Sequence, residues 1–186
     1  METGAGGPRV RRWLLYGAVG LGLVVGAVAA TGFLLPVAHT ASGSLEVAAP
    51  PAQVFEIVAD FARYPDWRTD VTHVEVTGER GAGQLVIETG GAGTIPYRVE
   101  AYGPPTHLVT RIADPSLPFG GTWTYELSRS ARGTMVTITE DGEVYNPIFR
   151  FMSAFVFGHT ATIEQYLDDL EARTGPTGTT GTSGTR

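Results

Sequence analysis

The sequence predicts an α+β protein: a curved antiparallel sheet of about seven strands wrapped around a long C-terminal helix, preceded by one transmembrane helix. Three patterns carry this expectation. A charge-free apolar run fills residues 13–38, six segments between 72 and 143 alternate apolar and polar residues, and residues 147–173 carry one apolar stripe at three- and four-residue steps.

The first element is the apolar run. From Trp13 to Ala38 there are 26 uncharged residues, 19 of them apolar, interrupted only by five Gly, Thr31 and Pro36. Roughly 20 such residues cross a hydrocarbon core of about 30 Å, so the run is long enough to span. Arg9, Arg11 and Arg12 precede it, and the next basic residue is Arg63. The positive-inside rule therefore predicts a single pass, with residues 1–12 cytoplasmic, 13–38 as the anchor, and the rest on the extracytoplasmic side. Cleavage near Ala27-Val28-Ala29 is the alternative, but it would leave Phe33-Leu34-Leu35-Pro36-Val37 as an apolar new terminus. Gly22 and Gly26 form a G-x-x-x-G spacing, a candidate face for a weak homodimer.

After the anchor, residues 39–43 read as a linker, 44–173 as one domain, and 174–186 as a disordered Thr/Gly tail with nothing to bury. Within the domain, Ser44–Val47 reads as a short strand. Pro51 suits the first turn of a helix whose apolar side is Val54, Phe55, Ile57, Val58 and Phe61. Pro65 ends a second short helix. Period-two alternation then predicts strands near 72–77 (Val74 and Val76 inward), 84–89 (Leu85 and Ile87 inward, Glu88 outward) and 94–101 (Ile95, Tyr97, Val99 and Ala101 inward). Strands follow near 108–112 (Leu108, Thr110 and Ile112 inward), 122–127 (Trp123, Tyr125 and Leu127) and 134–143 (Val136 and Ile138). Asn146-Pro147 is an N-cap followed by Pro at the first helical position. Ile148, Met152, Phe155, His159, Ile163, Tyr166 and Leu170 then form the helix stripe. One helix cannot fill the concave side of seven strands, so a cavity is expected between them.

The segments PPAQVFEIVADFARYPDW, FGGTWTYEL and TITEDGEVYNPIFRFMSAFVFG resemble the START-like helix-grip superfamily, also called SRPBCC. They look nearest to its polyketide cyclase/dehydrase and lipid transport subgroup. The resemblance covers about Ser44 to Arg173, and implies the helix-grip fold. It leaves activity open, because that superfamily spans carriers, cyclases and hormone receptors.

Seven residues are candidate ligand contacts. Tyr97, Tyr125 and Glu140 share the inward face of their strands, and His159 lies on the helix stripe; Trp123, Met152 and Phe155 would form an apolar wall. A carboxylate buried alone is costly, so Glu140 needs a partner or a raised pKa, and His159 is the expected partner. The plainer readings stand beside this: His159, Tyr97 and Tyr125 as satisfied core groups, and Glu140 at a solvent-facing strand end.

Composition removes other chemistries. All 13 basic residues are Arg and there is no Cys, which excludes a Schiff-base lysine, a P-loop lysine and a cysteine nucleophile. His39, His73, His107 and His159 lack metal-ligand spacing, so no metal or other cofactor is expected. Residues 39–186 carry a net charge of −8, an unsuitable surface for nucleic acid, so membrane contact must come from residues 13–38. The expected function is a membrane-anchored domain that binds a hydrophobic small molecule, lipid-like or polycyclic. A cyclase or dehydratase using Glu140 and His159 as acid and base on a polyketide-like substrate is one alternative. An envelope interaction module with a collapsed cavity is the other.

Overall fold

The structure is a computed structural model, described over residues 8–158 and 160–175. Helix α1 (Pro8–Leu34) leads into strand β1 (Ala38–Val47), then α2 (Pro51–Ala59) and a 3₁₀ turn (Phe61–Asp66). Six strands follow: β2 (Val71–Thr77), β3 (Leu85–Gly90), β4 (Gly93–Gly103), β5 (His107–Ile112), β6 (Phe119–Arg129) and β7 (Thr134–Val144). The chain ends in α3 (Pro147–Met152), a π turn (Ser153–Phe157) and α4 (Ala161–Thr174). The tail expected from residue 174 lies outside the described residues from 176 onward, as do residues 1–7.

All seven strands form one antiparallel sheet in the order β1-β7-β6-β5-β4-β3-β2. The chain starts on one edge, crosses to the other through α2 and the 3₁₀ turn, and meanders back until β7 pairs with β1. Irregularities between Val71 and His73 and between Val99 and Ala101 interrupt the ladders, and such bulges bend a sheet. The concave face holds Val86, Val99, Leu108, Tyr125, Leu127, Val136 and Ile138, packed against Ile163, Tyr166 and Leu170 of α4. Gly43 permits this approach: a Cβ there would lie 2.8 Å from the Ile163 side chain.

Several sequence expectations change. Residues 39–43 are not a linker; they are the first half of β1, paired with β7 from Ala38↔Glu143 onward. On β3 the inward face is Val86 and Glu88, not Leu85 and Ile87. Both faces of that strand are apolar enough to satisfy alternation, and the register with β4, Val86↔Tyr97, decides which one is dry. Val76 is exposed, on the edge strand β2.

The long C-terminal helix is interrupted. Asn146 caps α3 as expected, its side-chain oxygen accepting from the Ile148 and Phe149 amides at 2.9 and 3.2 Å. The π turn then adds residues to a turn and shifts the stripe out of phase. Gly158, at φ +76°, ends it in the left-handed region that favours glycine. Only Ile163, Tyr166 and Leu170 of the predicted stripe are fully buried among the described residues.

Helix α1 is long and apolar enough to cross a membrane over Arg9–Leu34, and most of that stretch is exposed. Its last turn touches α3. Gly32 lies so close to the Pro147 carbonyl that a Cβ would collide with it, and Arg150 Nη1 donates to the Leu35 carbonyl at 2.9 Å.

Candidate ligand-binding cavity

Between the concave sheet and the C-terminal helices lies a space in two lobes. The larger has a volume of about 920 Å³ and is walled by β1, β6, β7, α3 and the start of α4. The smaller, about 310 Å³, lies deeper toward the 3₁₀ turn and β3. Gly91, Ala92, Ile95, Tyr97, Trp123 and Thr162 line both, so the lobes meet at a common wall. Small-molecule sites occupy roughly 300–1,000 Å³, so the larger lobe alone could take a lipid-like or polycyclic ligand. A collapsed cavity is not what this fold presents.

The candidate residues distribute unevenly. Tyr97 and Trp123 stand at the junction, while Glu140 and Met152 line the larger lobe and Tyr125 the smaller. Tyr97, Trp123, Tyr125 and Glu140 owe their inward aim to period two, and the β6–β7 register sets Trp123 opposite Glu140. Phe155 is different: it sits in the π turn, 62 % exposed, and lines neither lobe. The one-residue slip of the π turn turns its ring outward, against Phe151 at 5.0 Å between centroids. His159, and with it the expected Glu140–His159 pair, lies outside the described residues.

The imidazole that does approach Glu140 belongs to His39, on β1. Its Nε2 is 3.8 Å from Glu140 Oε1, across the hydrogen-bonded edge where β1 meets β7. Gly142 makes room for the two: a Cβ there would press on the His39 ring and on Glu140 Oε1. Burial raises the Glu140 pKa above the usual carboxylate range, with the polar side chains of Thr162 and Trp123 opposing the rise. Its other oxygen, Oε2, is buried with no hydrogen bond among the described residues. His39 was legible only as part of a linker, because β1 is too polar to alternate clearly.

A second polar group closes the smaller lobe. Arg68 Nε and Nη2 donate to the two Asp70 oxygens at 3.1 and 2.6 Å, and Nη1 donates to Glu88 Oε2 at 3.1 Å. Its guanidinium carbon lies 5.0 Å from the Tyr64 ring centroid and 5.1 Å from that of Tyr166. Burial alone would lower the Arg68 pKa, but Glu88 and Asp70 more than reverse that and hold it above its ordinary value. Burial likewise raises the Glu88 pKa, with Arg68 pulling it back. The phenol pKa values of Tyr97, Tyr125 and Tyr166 all rise, burial being the largest cause in each, so these hydroxyls stay protonated. Sequence reading placed Glu88 on the wet face and passed over Arg68. A cation following Tyr64-Pro65-Asp66-Trp67 was the available signal.

From the rim inward, then, the space offers a carboxylate beside an imidazole, an aromatic waist, and an ion cluster of one guanidinium and two carboxylates. Its chemistry is that of an apolar receptacle with hydrogen-bonding groups at both ends.

Comparison with known proteins agrees with this geometry. No curated protein matches the chain in sequence. The solved structure of a START superfamily protein from Mycobacterium smegmatis is similar, with a TM-score of 0.60 at 19 % identity, covering 73 % of this chain and 97 % of that one. Norcoclaurine synthase from Thalictrum flavum gives 0.59 at 12 % identity, covering 74 % and 86 %. The di-domain ARO/CYC protein BexL, from the BE-7585A biosynthetic pathway, gives 0.61 at 12 % identity, covering 75 % of this chain and about half of that one, 51 %. At these identities the likeness establishes the fold alone. The model of the family described as polyketide cyclase / dehydrase and lipid transport matches residues 38–175, from the first residue of β1 to the end of α4. The chain therefore belongs to that family, as a START-like domain carried behind a long apolar N-terminal helix.

Proposed function

We propose that this protein is a membrane-anchored receptor or carrier for a hydrophobic small molecule, lipid-like or polycyclic, held in the two-lobed cavity. The observation that carries this is the volume of the larger lobe, about 920 Å³, lined mainly by apolar side chains around Trp123, Tyr97, Ile112, Phe119 and Met152. A ligand burying about 250 Å² of apolar surface there gains on the order of 6 kcal/mol. A hydrogen bond to a tyrosine hydroxyl or Glu140 adds about 1 kcal/mol. Apolar burial therefore sets affinity, and the polar groups set orientation.

The anchor fits the same reading. Helix α1 ends against α3, which walls the larger lobe through Phe149 and Met152. Ile148 and Phe149 of α3, Phe155 of the π turn, and Phe33 and Leu34 at the end of α1 are all exposed, an apolar surface where the bilayer would begin. With α1 spanning, N-terminus in the cytoplasm, the cavity sits at the outer membrane surface, where apolar ligands partition. Gly22 and Gly26 have open space around them, which suits a homodimer through the span. Native mass spectrometry of the full chain purified in detergent should show a co-purifying hydrophobe. Repeatedly empty preparations, with no uptake of added lipids, would overturn the proposal.

A second reading has one observation in its favour. Glu140, with its raised pKa, and His39 face the cavity at 3.8 Å, an arrangement able to exchange a proton with a bound poly-keto substrate in a cyclase or dehydratase reaction. Turnover of such a substrate that survives both Glu140→Gln and His39→Ala would remove the pair from any mechanism.

A further inference from the structure

Charge inside the cavity is one-sided. Four carboxylates line the two lobes: Asp70 and Glu88 in the smaller, Glu140 and Glu143 in the larger. Among the described residues the only basic groups lining them are Arg68 and His39. Arg68 has no capacity to spare. Its edge donates to Asp70 and Glu88, and its guanidinium carbon lies 5.0 and 5.1 Å from the Tyr64 and Tyr166 ring centroids. An incoming carboxylate or phosphate would have to compete with Asp70 for Arg68, or displace Glu88, which is only 12 % exposed and would be left nearly buried without a partner. His39 already faces Glu140 at 3.8 Å. Glu143 accepts from the Tyr145 hydroxyl at 2.7 Å at the rim.

One acceptor remains open. Glu140 Oε2 is buried, has no hydrogen bond among the described residues, and belongs to a side chain that lines the larger lobe. A buried acceptor without a donor is costly, and a ligand that supplies the donor removes the cost.

From this geometry we infer that the ligand is not an anion, and that its polar end is a hydrogen-bond donor, an alcohol, phenol or amine, directed at Glu140. The inference rests on the cavity being a binding site, as proposed above, and adds the chemistry of the head group. It excludes free fatty acids and places the hydroxyl or amine at the rim end of the larger lobe, with the apolar body running past Trp123 and Tyr97.

Three probes with one tail separate the possibilities: 1-dodecanol (donor), dodecyl methyl ether (acceptor only) and dodecanoate (anion). The full chain in detergent is incubated with all three at equal concentration, near neutral pH, and bound adducts are counted by native mass spectrometry. Dodecanol should exceed both others by about tenfold, the ratio expected when one buried charge or acceptor is left uncompensated. In Glu140→Gln, whose amide can donate as well as accept, the alcohol-to-ether ratio should fall toward one. Equal uptake of dodecanoate and dodecanol by the wild type overturns the head-group assignment and leaves cavity binding standing. Equal uptake of ether and alcohol overturns the donor requirement. Absence of all three adducts overturns the binding proposal itself. If Glu140→Gln does not fold, the wild-type ratios decide.

Discussion

The Arg68 guanidinium donates to the Glu88 carboxylate at 3.1 Å, joining the end of the 3₁₀ turn to the concave face of β3 across 20 residues of sequence. Both side chains are nearly buried, at 10 % and 12 % exposure. The pair lines the smaller lobe, where the guanidinium rests against the adjoining rings of Tyr166 from α4 and Tyr64 from the 3₁₀ turn. Truncation at Arg68 should be expensive because it strands the nearly buried Glu88. Arg68→Met is expected to cost about 3–5 kcal/mol in chemical denaturation. The double variant Arg68→Met with Glu88→Met should recover part of that loss, and a double-variant loss equal to the sum of the two single-variant losses would show that the pair is not coupled.

Stability should also depend on Glu140. Its pKa is raised in the folded state, so over a window above the ordinary carboxylate range the native chain holds a proton that the unfolded chain has released. Stability from this group is fully present below the unfolded-state pKa and is lost as pH rises through the folded-state value. Denaturation midpoints measured across the mildly acidic range should fall with rising pH, and Glu140→Gln should flatten that slope. An unchanged slope in the variant would assign the effect elsewhere, with Glu88, also raised by burial, the next group to test.

Filling the junction should abolish binding without unfolding the domain. Ile95 lines both lobes and is only half-buried, so Ile95→Trp places an indole in free space rather than in packed core. Ligand adducts should fall at least tenfold while the thermal midpoint stays within a few degrees of wild type. Retained binding would move the site away from the Tyr97–Trp123 waist.

The chain has no cysteine, so single cysteines can be placed at will. An environment-sensitive dye on Phe149→Cys of α3 should shift to the blue when the full chain is placed in lipid nanodiscs. The same dye on Val76→Cys, on the opposite edge strand, should report water. Identical spectra at the two positions would mean that α3 does not meet the bilayer.

A good part of this molecule was legible beforehand, for local reasons. Asn146-Pro147 announces a helix start because the side-chain oxygen can reach two free amides and proline lacks one. Trp123, Tyr125 and Leu127 announce an inward face because polar residues separate them. Alternation fails at Leu85–Glu88, where either face would serve as the dry one until Val86 pairs with Tyr97 on β4. It fails again at His39, which needs β7 as its neighbour before it becomes part of a site. Phe155 was misplaced because a helical stripe presumes constant phase, and the π turn breaks that phase.

By itself, then, the sequence determined what depends on near neighbours: an apolar span behind three arginines, seven strands, a capped C-terminal helix and an acidic domain free of lysine and cysteine. The tertiary structure alone decided which polar groups share the cavity. Arg68 meets Glu88 and His39 meets Glu140 only because β1 pairs with β7 at one side and, at the other, the 3₁₀ turn packs on β2, the neighbour of β3. Residues separated by 20 or by about a hundred positions are brought within hydrogen-bonding or ionic range by sheet register, and register is a property of whole strands rather than of local spacing.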